Sequence, residues 1–304
     1  MYIADMHCDS LSSVSGESGL VNQYNVSAIY PQLQFFAHFS PKGNDTPMLR
    51  RKKLMRAYNV YLSECERLGL VNAVSGRDLF LATEASKGSA MFTVEGGAGL
   101  FADSPELDTL ARGGLRVLGM AWDTNELAAS AWDENDTGLT DEGRKMVERC
   151  SELGIILDLS HLSDRAFYET FEISALPHIA THSNFREICN SKRNLTRDMA
   201  KRIASRGGVI GLNLYPPFLN DGGRACTDDL FRHIDYALDL FGSDENIGFG
   251  FDIDGTDGCY PLGIDETESI HDRVVEYISV RYGEKTAERI AGLNVIDFLK
   301  NNLI

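Results

Sequence analysis

His7 and Asp9 stand two residues apart near the start of a chain of 304 residues. On a strand that spacing points both side chains to one face. An imidazole beside a carboxylate suits zinc and similar borderline ions. Further metal-capable side chains follow at Glu95, His161, His182 and Asp252. His161 and His182, read as ends of neighbouring strands, can share a second ion. Glu95, placed between the two, can offer one oxygen to each. Two ions together activate a water and polarise a carbonyl. Taken singly, each piece has an ordinary explanation. A Glu before Gly-Gly is usually a turn residue, and a buried His is more often hydrogen-bonded than metal-bound. The argument rests on shared position: of seven histidines, His7, His161 and His182 fall at strand ends on one rim. His38 is set aside because its strand is poorly defined. His178 begins a strand and belongs to the opposite rim. His233 and His271 fall in helices and read as structural or exposed.

Elements that bring such residues together must repeat. Short β-rich apolar runs alternate with longer amphipathic segments, which signals parallel βα units. Strands are expected at 2–8, 33–38, 90–94, 115–121, 155–159, 178–181, 209–214 and 247–251. Helices are expected at 48–67, 141–153, 195–206, 269–281 and 285–291, the first preceded by a loop from Pro41. Eight strands with intervening helices predict a single (β/α)8 TIM-like barrel over 1–304, with its active site at the C-terminal strand ends. Cys8, between two ligands, should face the other side of its strand.

The bulk composition narrows the partners. With 43% hydrophobic residues the chain can bury one large core. A net charge of −16 disfavours nucleic acid and anionic membranes. No stretch of about 20 apolar residues occurs, and the first residues carry neither a basic leader nor an apolar run, so a cytoplasmic location is expected. The six cysteines include no C-x-x-C pair and read as reduced, mostly buried thiols.

Longer motifs resemble the renal (membrane) dipeptidase family, binuclear zinc peptidases with an amidohydrolase-like barrel. The resemblance is carried by Asp5-Met6-His7-Cys8-Asp9, Val94-Glu95-Gly96-Gly97, Gly138-Leu139-Thr140-Asp141, Asp158-Leu159-Ser160-His161, Thr181-His182-Ser183-Asn184, Arg193-Asn194 and Gly248 to Gly255. It implies His7 and Asp9 on one zinc, His161 and His182 on the other, and Glu95 bridging the two Zn²⁺. It implies Asp252 as the carboxylate that handles the attacking water's proton, Arg193 as the anchor for a substrate carboxylate, and Tyr215 in the pocket wall. A guanidinium suits that task because it donates two parallel hydrogen bonds; read without the family, Arg193 would be a surface cation at a helix start.

The function implied is hydrolysis of dipeptides, L,D as well as L,L, by a metal-bridging hydroxide, in a chain that forms homodimers as its relatives do. Two departures bear on substrate. Trp122 stands where the mammalian members carry a histidine that supports the oxyanion, and loss of one such donor costs on the order of 100-fold in rate. Phe251 replaces a small residue. The alternative is an amidohydrolase of the same fold acting on N-acyl amino acids, lactones or β-lactams.

Overall fold

A computed structural model of the chain describes residues 1–13, 32–40, 43, 45–264 and 269–303. Part of the loop read from Pro41 lies outside them. Eight strands form one parallel sheet: β1 (Ala4–Asp5), β2 (Leu33–Phe39), β3 (Val71–Asn72), β4 (Ser89–Glu95), β5 (Val117–Gly119), β6 (Ile156–Asp158), β7 (Ile210–Leu212) and β8 (Ile247–Phe249). Their order is β6-β5-β4-β2-β1-β8-β7, with β3 paired to β4 off this path.

The expected set of strands needs two corrections, one lost and one added. Residues 178–181 do not form a ladder. Ile179 bridges Asp158 and Ala180 bridges Ile210, each as a single parallel pair. The segment therefore fills the gap between β6 and β7 without closing it as a full strand. Its place is held by close backbone approach. A Cβ on Gly211 or on Gly250 would run into the Thr181 carbonyl, so glycine at both positions lets the three backbones pass at contact distance. The second correction is β3, which has only two residues and gave no periodic signal. The other expected strands are present but mostly shorter, because the ladders end where the chain turns toward the rim.

Helices follow the amphipathic segments. Pro47–Leu68 is the longest and is capped by Thr46, whose hydroxyl accepts from Leu49 N. Asp141–Leu153 has the expected bounds, with Thr140 accepting from Gly143 N and Met146, Val147 and Cys150 facing inward. Arg197–Ser205 starts two residues later than expected because Thr196 is its cap, accepting from Met199 N. Ile270–Tyr282 and the run from Glu284 complete the chain, the latter continuing through a π-turn at Arg289–Leu293 into Asn294–Asn302. Helices Gly76–Glu84, Pro105–Gly113 and Asp164–Ile173 have no counterpart among the expected elements, while Thr227–Phe241 is the helix expected around His233.

Side chains alternate across the sheet as the period of two requires. Met6, Phe35, Met91, Val117, Ile156, Ile179 and Val209 form one buried cluster, joined by Val295, Phe298 and Leu299 of the last helix. Phe36, Phe92, Leu118 and Leu157 face the other way, into the layer beneath the helices. Cys8 is fully buried in that second layer, on the face expected for it. All six cysteines are free. No helix among the described residues is long and apolar enough to cross a membrane.

Gly250→Ala is expected to lower stability by about 1–3 kcal/mol, since overpacking must displace the Thr181 segment. Urea denaturation measures it; a variant as stable as the parent would show that the segment is not wedged there.

Candidate metal centre

Every metal-capable residue singled out in the sequence lies at a strand's C-terminal end. Glu95 is the last residue of β4. His7 and Asp9 follow β1, His161 follows β6, His182 follows the 179–180 bridges, and Asp252 follows β8. His161 and Asp252 hold left-handed backbone, with φ of 65° and 61°. Such conformations cost a non-glycine residue energy and persist where the surroundings over-determine them.

The side chains converge. His161 Nε2 lies 2.7 Å and His182 Nε2 3.1 Å from Glu95 Oε1, and the two imidazole nitrogens are 3.0 Å apart. On the other side His7 Nε2 lies 3.6 Å from Glu95 Oε2, 3.7 Å from Asp252 Oδ1 and 3.9 Å from Asp9 Oδ1. The His7 and His182 rings stack with centroids 3.6 Å apart. His7, Glu95 and His182 form one group able to hold an ion, and His7, Asp9 and Asp252 form another. His7 belongs to both.

Buried polar groups normally find hydrogen-bond partners. Here His7 Nε2, Asp9 Oδ1 and Glu95 Oε2 are buried and have none. All three sit around the same point between His7 and the carboxylates. The tautomer of His182 is also set. Thr181 Oγ1 donates to Asp158 Oδ2 at 2.5 Å, so it accepts from His182 Nδ1–H at 2.7 Å. The bare Nε2 then faces Glu95. Asp158 is held in turn by the amides of Ser160 and Thr181. An imidazole whose distal N–H is fixed in this way is a common arrangement for a metal ligand.

The electrostatics agree. Burial raises the Asp9 and Glu95 carboxyls well above the ordinary range, and neighbouring carboxylates raise them further. Burial also raises Asp252 to about 6, although Asn213 and Arg193 pull it down. Burial lowers His7 to about 3, and drives His161 and His182 well below their usual value, with the Arg193 charge adding to each shift. Three carboxylates and three neutral imidazoles thus share a buried space with one guanidinium. The donor set, the orphaned atoms and the excess negative charge all fit divalent cations.

Arg193 is buried, not a surface cation. Its NH1 donates to Ser183 Oγ and its NH2 to the His182 carbonyl, while its Nε is buried with no acceptor. The guanidinium lies over the Phe218 ring, 5.7 Å from the centroid, and Phe218 packs edge-on against Tyr215. Tyr215 is half-buried. Trp122 is half-buried between Phe39 and His161, with ring centroids 5.5 and 6.3 Å away. It also lines a surface cavity of about 570 Å³ with Trp132, Asp133 and Glu134. His38 is in neither metal-capable group. His233 is buried and satisfied, accepting from Phe185 N and donating to the Leu219 carbonyl.

Several residues that hold the site gave no signal of their own. Asn213 Nδ2 donates to Asp252 Oδ2 at 2.9 Å. Asn184 fixes the Asn213 backbone through both its amide atoms. Gly255 is forced by crowding, since a Cβ there would strike Asp252 Oδ1 and Asp9 Oδ2.

Residues 13–302 match the model of the membrane dipeptidase family, peptidase family M19. The chain belongs to that family. Among similar proteins, Dipeptidase 3 of Mus musculus is 28% identical over 219 residues, 68% of this chain and 43% of the mouse protein. A Klebsiella pneumoniae protein encoded in the pqqA 5′ region is 31% identical over 173 residues, 53% of this chain and 64% of its own length. The alignments thus span from about two fifths to two thirds of the curated relatives' length. Solved structures align over the whole chain. Dipeptidase AC, a metallopeptidase of family M19, has a TM-score of 0.85 and 25% identity, covering 100% of this chain and 99% of that one. A Rhodobacter sphaeroides metallopeptidase bound to a phosphinate mimic of L-Ala-D-Ala has a TM-score of 0.82 at 23% identity, with 100% and 99% covered.

Adding divalent ions to metal-free protein is expected to raise its melting temperature with the logarithm of ion concentration. Glu95→Gln should blunt that rise. The same change should make the metal-free protein more stable at neutral pH: a carboxyl raised by burial destabilises the fold once the pH exceeds its unfolded value. Scanning calorimetry reads both effects; an unchanged metal response would remove Glu95 from the site. Gly255→Ala is expected to weaken ion uptake at least 10-fold, as measured by competition with a chromophoric chelator.

Proposed function

We propose that the chain is a dipeptidase that works with two zinc ions at this centre. The observation that carries the reading is the set of orphaned, buried ligand atoms on His7, Asp9 and Glu95, beside the buried guanidinium of Arg193. His7 and Asp9 would hold one ion, His161 and His182 the other, and Glu95 would bridge. When bound, the ions supply Lewis acidity toward the scissile carbonyl and bring a water's pKa toward neutrality. The same reading takes residues 178–181 as the sixth stave of a (β/α)8 barrel.

The protein's own groups have distinct tasks. Arg193, tethered by Ser183 and the His182 carbonyl, presents its unpartnered Nε to the substrate's C-terminal carboxylate. A flexible ammonium could not keep that geometry. Asp252 is fixed through Oδ2 by Asn213, which leaves Oδ1 to take the proton of the attacking water and pass it to the leaving amine. A carboxyl raised toward neutrality is well matched to that exchange. Trp122, Tyr215 and Phe218 would frame the side-chain pocket. The phosphinate mimic of L-Ala-D-Ala in the Rhodobacter sphaeroides neighbour supports dipeptides, including those with a D-residue at the second position.

Trp122 at the position of a family histidine favours one second reading, hydrolysis of N-acyl amino acids. A panel of L,L and L,D dipeptides and N-acyl amino acids, run with and without added zinc, separates the two. Zinc-dependent cleavage of dipeptides is expected; activity only on substrates without a free α-amine would refute the dipeptidase reading. Arg193→Lys should raise KM about 10- to 100-fold with a smaller effect on kcat, because uniform binding is what it loses. Asp252→Asn should lower kcat at least 100-fold with KM little changed.

A further inference from the structure

Asp5 is the innermost carboxylate of the N-terminal motif, fully buried at the end of β1. It is not one of the convergent ligands, and its contacts run away from them. Its Oδ1 accepts from His7 N and from Phe251 N, each at 3.1 Å. Its Oδ2 lies 2.7 Å from His271 Nε2. His271 is itself buried, in the first turn of helix Ile270–Tyr282. Its ring stacks on Phe251, with centroids 5.0 Å apart and planes at 29°.

These contacts tie three distant parts of the chain to one carboxylate. One bonded amide belongs to the ligand His7. The other belongs to the residue just before Asp252. The distance between His7 Nε2 and Asp252 Oδ1, 3.7 Å across the centre, is therefore set by two backbones hung on the same oxygen. That oxygen can hold both only while the carboxyl group keeps its orientation, and His271 fixes the other end of the group. We propose that Asp5 and His271 are a positioning pair, through which helix Ile270–Tyr282 sets the His7–Asp9 side of the centre and the placement of Asp252. The inference rests on the two-ion reading above.

It separates the two sides of the site. His161 and His182 are oriented by other means, His182 through Thr181 and Asp158. Loosening Asp5 should therefore weaken one ion and spare the other. Partners that orient ligands in this way are worth about 10- to 100-fold in metal affinity.

The test is zinc titration of chelator-treated, full-length protein against a competing chromophoric chelator. His271→Asn keeps a polar side chain but cannot reach Oδ2, whereas His271→Gln places an amide N–H near the position of Nε2. The Asn variant is expected to bind one of two zinc equivalents about 10- to 100-fold more weakly, and the Gln variant to recover most of that loss. His233→Asn, at another buried and hydrogen-bonded histidine, is expected to lose stability with both zinc affinities intact. Unchanged affinities in a folded His271→Asn variant would overturn the proposal, as would equal loss of both equivalents. If that variant does not fold, Asp5→Asn is judged by the same criterion, since it keeps an oxygen for the two amides and gives up the acceptor for His271. Zinc titration uses no substrate. A parent chain that binds two ions but cleaves no dipeptide refutes the function and leaves the positioning pair standing.

Discussion

The structure is organised around a charge imbalance. Asp9, Glu95 and Asp252 share a water-poor space with three neutral imidazoles and one guanidinium, and burial pushes each carboxyl up and each imidazole down. In a chain without function such a cluster would be selected against, because each buried and unpaired polar group costs about 1–3 kcal/mol. Its persistence makes sense if cations complete it. The strained backbones at His161 and Asp252 carry the same implication, since the fold imposes them where the ligands converge.

What resists the imbalance is a shell of hydrogen bonds one step removed. Asp158 and Thr181 fix His182 in one tautomer. Asn184 holds the Asn213 backbone, and the Asn213 side chain holds Asp252. Asp5 joins the backbones at His7 and Phe251 to helix Ile270–Tyr282. Each tether is anchored at or just past a strand end of the parallel sheet. Helices on one side and the last helix on the other bury that sheet, so the tethers have a firm base. Precise placement of ligands that repel one another needs such support.

The outer parts of the site are built differently. Trp122 and Tyr215 stand on loops past the strand ends and Phe218 in the short helix Pro216–Leu219; Trp122 packs on Phe39 and His161, and Phe218 packs on Tyr215 and beneath Arg193. Loops of this kind vary while the scaffold stays constant. Trp122 fits that division: it stands apart from the hydrogen bonds that tether the convergent side chains.

The sequence by itself determined most of the strands behind the convergent residues, because the period of two and the apolar runs are local signals. It also singled out His7, Glu95, His161, His182 and Asp252 as candidates, because each sits at the end of such a run or just past it. Tertiary structure alone decided the rest. Whether Arg193 faced solvent or the centre depended on Ser183 and the His182 carbonyl, which no local pattern near Arg193 could report. The same holds for His271, which meets Asp5 across 266 positions of chain. The 178–181 segment read as a strand because its residues favour one, yet only single bridges form, since its neighbours reach it through two glycines at contact distance. Propensity is a property of a few neighbouring residues. Charge balance, tautomer and orientation belong to groups brought together from the whole chain, and folding is what assembles them.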